Sequence, residues 1–266
     1  MAHDLILDRQ SDTIAIIRLN RTDARNALTT DMARHLTVLL DEVDADPDCR
    51  VVILAAEGAA FCAGLDLKAS LAGPGAPEGA IGWMALQEVF GRLMLRINSL
   101  RQPVIAAVQG AAVGAGFGLA LAGDIRIAAS DARFLVGAVK VGLNAGECGI
   151  SYHLPRLIGA GRAFEIMLTG RPVSAEEALS SGLVSDVVEP EALLDRALRT
   201  ARAIAENAPY SIKHTKQIMW TNLEAPSLAS AVELENHVQV VALLSEDFRE
   251  AATAFSEKRP PRFAGR

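Results

Sequence analysis

The chain has 266 residues, 50% hydrophobic and 22% charged, with a formal net charge of −6. That length suits one large domain, or one domain with a small appendage, and the apolar half of the chain supplies a sizeable core. The acidic balance and the lack of a Lys/Arg cluster argue against a nucleic-acid partner, and no apolar run is long enough to span a bilayer, so no membrane partner is expected.

The first residues, Met1-Ala2-His3-Asp4, show neither a basic n-region nor an apolar h-region, so no secretory leader is expected. Cys49, Cys62 and Cys148 form no C-x-x-C pair, which suits reduced thiols and a cytoplasmic location. There is no H-E-x-x-H and no grouped His/Cys set, so no metal site is expected.

In chain order, residues 14–19 alternate weakly and predict a strand, followed by a polar loop over 20–28. Thr29 or Thr30 can cap a helix over 31–44, whose apolar residues Met32, Leu36, Leu39, Leu40 and Val43 fall at helical spacing. Residues 51–55 form a continuous apolar run, the mark of a strand buried on both faces. A turn rich in small residues follows over 57–68. The segment 72–79, A-G-P-G-A-P-E-G, is linker-like but short and reads as a mobile loop rather than a domain boundary. Residues 81–99 predict a helix.

The stretch 102–131 organises the chain. Its apolar run 104–108, bounded by Pro103 and Gly110, predicts a buried strand; a turn with Gly110, Gly114, Gly116 and Gly118 follows. Residues 119–122 read as the first turns of an apolar helix, and 125–129 as a second buried strand. Glycines let backbone approach a ligand, and the free N–H groups of a helix N-terminus suit an anion. A thioester enolate oxygen fits such a place, and so does a phosphate; a tight strand-to-helix crossing with no ligand explains the same glycines. Gly114 to Leu119 does not match G-x-G-x-x-G, and no Walker loop is present, which counts against a nucleotide-binding oxidoreductase.

Beyond this stretch, 132–136 predicts a short strand and 140–148 a loop. Helices are expected over 149–157, 163–168 and 174–181, the last opened by the capping box Ser174-Ala175-Glu176-Glu177. Another short strand is expected over 183–188. From 191 onward the reading is nearly all helix, broken at Pro209 and Pro226. This order predicts an α/β fold, with a core over 1–200 and a helical C-terminal region over 201–266.

Two glycine-rich turns thus each follow an apolar strand: Ala63-Gly64-Leu65-Asp66 after 51–55, and Gly114-Ala115-Gly116 after 104–108. Two backbone donors from separate loops make an oxyanion hole without a charged side chain. Taken with Asn20-Arg21, with Asn26-Ala27-Leu28 and with the tail Phe255 to Pro260, the pattern closely resembles the crotonase (enoyl-CoA hydratase/isomerase) superfamily over essentially the whole chain.

The resemblance implies a spiral of ββα units with a helical C-terminal trimerisation region, assembling as a homo-trimer or a dimer of trimers. It implies an acyl-CoA thioester substrate, with coenzyme A carried by the substrate and no separate cofactor. By the same resemblance the oxyanion donors are the N–H groups of Leu65 and Ala115. Ala24 and Arg25, with Ala63, Gly64 and Asp66, line the adenine and pantetheine pocket, and Gly114, Gly116, Gly118 and Ala138 fall at the acyl site. The plainer reading of Arg25 is a solvated loop charge, and that of Asp66 a helix N-cap; for Asp66 the cap is favoured.

Gly118 and Ala138 stand where the hydratase subgroup carries its two glutamates, so a two-carboxylate hydration does not transfer. Glu147 aligns, with a one-residue insertion, with an aspartate of the dienoyl-CoA isomerase subgroup and is the candidate proton carrier. A carboxylate that merely favours a helix N-terminus is its plainer reading. His153 is open to a pocket-base reading, but a lone histidine in a helix more often has a structural role; Glu165 is expected to be a surface or ion-pair residue, and Asp124 to pair or cap locally. A single carboxylate suits double-bond isomerisation. Hydration by Glu147 with a pocket water stays open, and a CoA-ester binder without catalysis is the alternative. Two further expectations follow: Gly116→Val removes turnover and leaves the fold intact, and glutamates placed at Gly118 and Ala138 favour hydration. The apolar residues Val232, Leu234, Val238, Val241, Leu243 and Leu244 exceed what a peripheral tail needs and are expected to be buried against neighbouring subunits.

Overall fold

The computed structural model describes residues 4–73 and 76–266. The loop expected over 72–79 therefore lies partly outside the described residues. The N-terminal half contains β1 (Leu5–Ser11), β2 (Ile14–Leu19), α1 (Thr30–Ala45), β3 (Val51–Ala56), α2 (Leu67–Ala72) and α3 (Gly79–Ser99). The organising stretch forms β4 (Val104–Val108), β5 (Ala111–Val113), α4 (Ala115–Ala122) and β6 (Ile125–Ala129). Then come β7 (Arg133–Leu135), α5 (Ile150–Ile158), α6 (Ala160–Thr169), β8 (Val173–Ser174), α7 (Ala175–Ser180) and β9 (Asp186–Val188). The remainder is helical: α8 (Leu193–Ala205), α9 (Pro209–Asn222), α10 (Leu228–Leu243) and α11 (Glu246–Glu257).

Six strands form one sheet in the order β1-β2-β3-β4-β6-β9, parallel throughout except for the antiparallel β1–β2 edge. β5, β7 and β8 form a second, three-stranded sheet. The larger sheet divides its apolar residues by parity. Ala15, Ile17, Val52 and Leu54 enter the main core with α1, α3 and α4, while Ile14, Ile16, Val51 and Ile53 pack on Leu193, Ala197, Leu198 and Ala201 of α8. A strand covered on both faces needs an unbroken apolar run, and that is why β3 was readable as such, whereas β2 was read from weak alternation. α8 runs across the boundary expected at residue 200 and belongs to the sheet rather than to the helical tail.

Capping follows the sequence closely. Thr29 Oγ1 accepts from the Met32 N–H at 3.1 Å and Ser174 Oγ from the Glu177 N–H at 3.2 Å. Pro209 opens α9 at its first turn, where its missing N–H costs nothing, instead of breaking a helix. α9 is pinned to the core through Asp124. That carboxylate accepts from the Val104 N–H at 2.7 Å and from Trp220 Nε1 at 2.8 Å, and pairs with Lys216 Nζ at 2.8 Å. Asp124 is therefore a local cap, with the added work of holding a helix 96 residues away in sequence. No residue of α10 is buried; Leu228, Val240, Val241, Leu243 and Leu244 are all exposed.

Candidate active site

Three segments converge at the C-terminal ends of β3 and β4. The segment carrying Ala63 to Asp66 is held on both sides by backbone bonds. Ala63 N donates to Arg25 O at 3.0 Å, Leu28 N to Gly64 O at 2.7 Å, and Asp66 N to Leu28 O at 2.9 Å. On the other side Cys62 N donates to Ala111 O at 3.0 Å and Val113 N to Cys62 O at 2.9 Å. A Cβ at Gly64 would lie 2.7 Å from Val113 O and 3.7 Å from Ala115 N, so the two glycine turns touch. Among the described residues, the N–H groups of Leu65 and Ala115 donate to no carbonyl, and Ala115 is the first residue of α4. Two unsatisfied donors at adjoining turns, one at a helix N-terminus, are the parts of an oxyanion site.

Asn26, legible in the sequence only as part of a motif, is the fastening of this corner. It is fully buried with φ 57°. Its Oδ1 accepts from the Arg21 N–H at 2.8 Å, while Nδ2 donates to Glu57 O at 2.9 Å and Ala60 O at 2.8 Å. The side chain thus satisfies three backbone groups across two loops, as a buried amide must. The visible signal was an asparagine in a turn, where left-handed backbone is tolerated. Arg21 Nη1 reaches both Ala27 O at 2.9 Å and Asp66 Oδ2 at 2.7 Å. Asp66 also caps α2, accepting from the Ala69 N–H at 2.8 Å. Its carboxyl is held below the usual aspartate value by that bond and by Arg21, so it is a cap and ion-pair residue, as its plainer reading held. Arg25 is exposed beside half-buried Ala24, its carbonyl tying the loop to Ala63.

Glu147 closes the site from the other side. Its Oε1 lies 3.1 Å from where a Cβ on Gly114 would stand, so the carboxylate rests on the Gly114–Gly116 turn itself. The carboxylate is half-buried and has no hydrogen bond or ion pair among the described residues. Burial pushes its carboxyl above the ordinary glutamate value, with no cation to oppose the shift. α5 begins at Ile150 after Gly149, and the Glu147 carboxylate makes no cap bond to it; the Glu147 carbonyl accepts from the Ile150 N–H at 2.8 Å. Gly114, at φ 49° and ψ −116°, occupies a backbone conformation reserved for glycine, and its bare Cα gives the carboxylate room.

Two expectations about the other glycines are corrected. α4 starts at Ala115, four residues earlier than the apolar pattern suggested, so Gly116 and Gly118 lie inside a helix. A Cβ at Gly116 would fall 2.3 Å from Cys62 O, and one at Gly118 would fall 2.6 Å from Cys148 Cβ and 2.7 Å from Cys148 O. Both glycines are required by packing against the chain, so Gly116→Val would disturb the fold and is no clean test of the site. A glutamate at Gly118 likewise cannot enter while Cys148 keeps its place, so restoring that residue does not install a hydratase site. Cys148 holds φ 48°, a left-handed backbone that non-glycine residues seldom adopt, and this bend places it over α4. Ala138 is buried in a short 3-10 turn, Ala138–Val141.

The remaining candidates are structural. His153 is buried, packs edge-on against Trp220 at 5.3 Å and Tyr152 at 5.0 Å, and its pKa is brought down to about 4 by burial and by the nearby Arg126 and Arg156. It is a neutral ring near neutral pH. Glu165 pairs with Arg171 on the surface. Burial raises the thiols of Cys62 and Cys148 to about 12, so neither supplies a thiolate. Among the described residues no group of His, Cys, Asp or Glu could hold a metal ion. A separate cavity lined by Arg50, Arg101, Lys213 and His214 sits at the start of β3 and β4, the opposite edge of the sheet from these turns.

Residues 9–266 match the family model described as enoyl-CoA hydratase/isomerase. A probable enoyl-CoA hydratase of Mycobacterium tuberculosis is 42% identical over 262 residues, 97% of this chain and 92% of that protein. The 1,2-epoxyphenylacetyl-CoA isomerase of Escherichia coli is 36% identical over 263 residues, 99% of each. The crystal structure of an enoyl-CoA hydratase from Bacillus anthracis superposes with a TM-score of 0.94 at 32% identity, covering 99% of this chain and all of that one. These relatives are enzymes by name, which disfavours the reading of the chain as a binder without catalysis.

Proposed function

The chain belongs to the enoyl-CoA hydratase/isomerase family, and from that premise we propose that it shifts a proton along the acyl chain of an enoyl-CoA thioester. Glu147 is the acid–base group, and the Leu65 and Ala115 N–H groups hold the thioester oxygen. The observation that supports this reading most is the unpartnered Glu147 carboxylate lying on Gly114, next to the free N–H of Ala115.

The chemistry follows from charge. Removing a proton from the carbon beside the thioester carbonyl pushes the electron pair onto the carbonyl oxygen. Two preorganised N–H donors stabilise that oxyanion, and losing one such donor typically costs about 3–4 kcal/mol of barrier. The Glu147 carboxylate takes the proton and becomes a carboxylic acid. It then returns the proton to the carbon two positions along, as the electron pair flows back and the double bond moves into conjugation. A half-buried carboxyl with a raised pKa suits a group that both takes and gives a proton. Hydration by Glu147 with a pocket water is the second reading, favoured by the hydratase names among the relatives.

In the same reading Ala24 and exposed Arg25 flank the coenzyme A moiety, and the protein is cytoplasmic with its three cysteines free. The unburied apolar face of α10 serves a trimer or a dimer of trimers, because a folded monomer has no use for it. The test is a panel of enoyl-CoA thioesters followed by mass spectrometry. Isomerisation leaves the mass unchanged and hydration adds a water. Glu147→Gln is expected to lower turnover by at least about a hundredfold with little change in CoA-ester affinity. Turnover at the parent rate in that variant sinks the assignment of Glu147.

A further inference from the structure

The bend that presents Glu147 is held at two contacts. Cys148 at φ 48° and Gly149 at φ 77° are successive left-handed residues, and the bond from the Ile150 N–H to the Glu147 carbonyl closes the turn around them. The first contact is with α4: an added Cβ at Gly118 would come 2.6 Å from Cys148 Cβ. The second is the His153 ring. A Cβ at Gly149 would stand 3.3 Å from His153 Cδ2 and 3.6 Å from Nε2, so the imidazole covers the bare Cα of the bend.

What holds that ring is α9. His153 packs edge-on against Trp220, with centroids 5.3 Å apart and planes at 77°, and is neutral near pH 7, so packing rather than an ion pair fixes it. Trp220 is fixed in turn by its Nε1–H, which donates to Asp124 Oδ1 at 2.8 Å. Asp124 stands two residues past Ala122, the last residue of α4, and its other oxygen accepts from the Val104 N–H and pairs with Lys216. The first residue of α4 is Ala115, and Glu147 rests on Gly114 immediately before it. These contacts form a closed circuit. It runs from Ala115 along α4 to Asp124, across to Trp220, through His153 to Gly149, and back by Glu147 to Gly114.

A carboxylate without a hydrogen bond or ion pair of its own is placed by the backbone that carries it, and that backbone is placed by its packing. We propose that Trp220 and His153 are positioning residues, which keep the Glu147 carboxylate at its working distance from the Leu65 and Ala115 N–H groups. The proposal rests on the acid–base role given to Glu147 above. Neither ring takes part in the proton transfer; both act through the bend at Cys148 and Gly149, and Asp124 anchors them to the helix that carries Ala115.

A double-mutant cycle on folded protein, with turnover of an enoyl-CoA as the readout, separates positioning from plain stability. Trp220→Leu removes both the ring contact and the bond to Asp124, and is expected to lower kcat about ten- to a hundredfold with KM little changed. Trp220→Phe keeps a ring and loses the bond, so its kcat is expected to lie between the two; if Trp220→Leu does not fold, Trp220→Phe carries the cycle. His153→Ala is expected to lower kcat likewise, and His153→Phe, which puts a ring back over Gly149, to recover most of it. In a Glu147→Gln background Trp220→Leu is expected to cost nothing further, because the group it positions is gone. Parent kcat in Trp220→Leu, even with a lower Tm, overturns the proposal. So does a kcat loss of the same size in the Glu147→Gln background, or a His153→Phe protein as slow as His153→Ala. Glu147→Gln turning over at the parent rate is a separate result, which overturns the proposed function itself and this inference with it.

Discussion

Gly118→Ala is the substitution that most sharply separates packing from propensity. At an ordinary interior helix position, glycine to alanine gains about 1 kcal/mol. Here the added methyl would meet Cys148 Cβ at 2.6 Å and Cys148 O at 2.7 Å, both far inside van der Waals contact and one of them backbone. Overpacking of this kind costs about 1–3 kcal/mol. The two effects together leave a net loss of up to about 2 kcal/mol, which for a chain of this length is a fall of up to roughly 8 °C in Tm. Relief would come from moving residues 147–149, and that displaces Glu147 from Gly114, so turnover should fall by more than stability does. Cys148→Gly in the same protein should restore part of the Tm, since it removes the Cβ contact and frees the left-handed backbone at φ 48°. Thermal unfolding by circular dichroism, with turnover measured on the same samples, checks each part. A rise in Tm for Gly118→Ala, as propensity alone demands, would refute the interlock of α4 with Cys148.

Asn26→Ala removes the partner of three backbone groups at a fully buried position, so a loss of about 2–4 kcal/mol is expected in urea unfolding, with turnover falling as the Ala63–Asp66 segment loosens. An unchanged unfolding midpoint would show that these loops hold without it. Glu147→Gln should raise Tm at pH 7 but not below about pH 4. The folded-state pKa of Glu147 is raised, so the group favours folding only while protonated, and that stability is lost as pH rises through the folded-state pKa; glutamine stays neutral throughout. A Tm gain that is independent of pH would contradict the desolvated carboxylate.

What was legible in the sequence and what was not divides along physical lines. β3, β4 and β6 were readable because a strand buried on both faces must be apolar at every position. β1 was not, since L-I-L-D-R-Q-S is an edge strand that is half wet, and its pairing with β2 rather than its own pattern defines it. The start of α4 was misplaced because its glycines resemble a turn, whereas contacts with Cys62 and Cys148 are what demand them. Leu65 and Ala115 were named through family resemblance alone, and the touching of their turns at Gly64 is a long-range fact that local pattern cannot carry. Glu147 could be named but not oriented: its place depends on the bend at Cys148 and Gly149, which sets a side chain back across a turn more than thirty residues earlier. Asn26 was quoted as part of a motif but its fastening role was not seen, because an amide that ties two loops' backbone shows itself only in three dimensions.

The central claim is that Glu147 exchanges a proton with the carbon chain of a thioester held at Leu65 and Ala115. Its most direct test is deuterium incorporation from D₂O into an acyl-CoA, read by mass spectrometry in the presence of the parent protein and of Glu147→Gln. Deuterium entering the acyl group with the parent protein, and at least about a hundredfold more slowly with Glu147→Gln, is the result predicted here. Equal incorporation by the two proteins would contradict it.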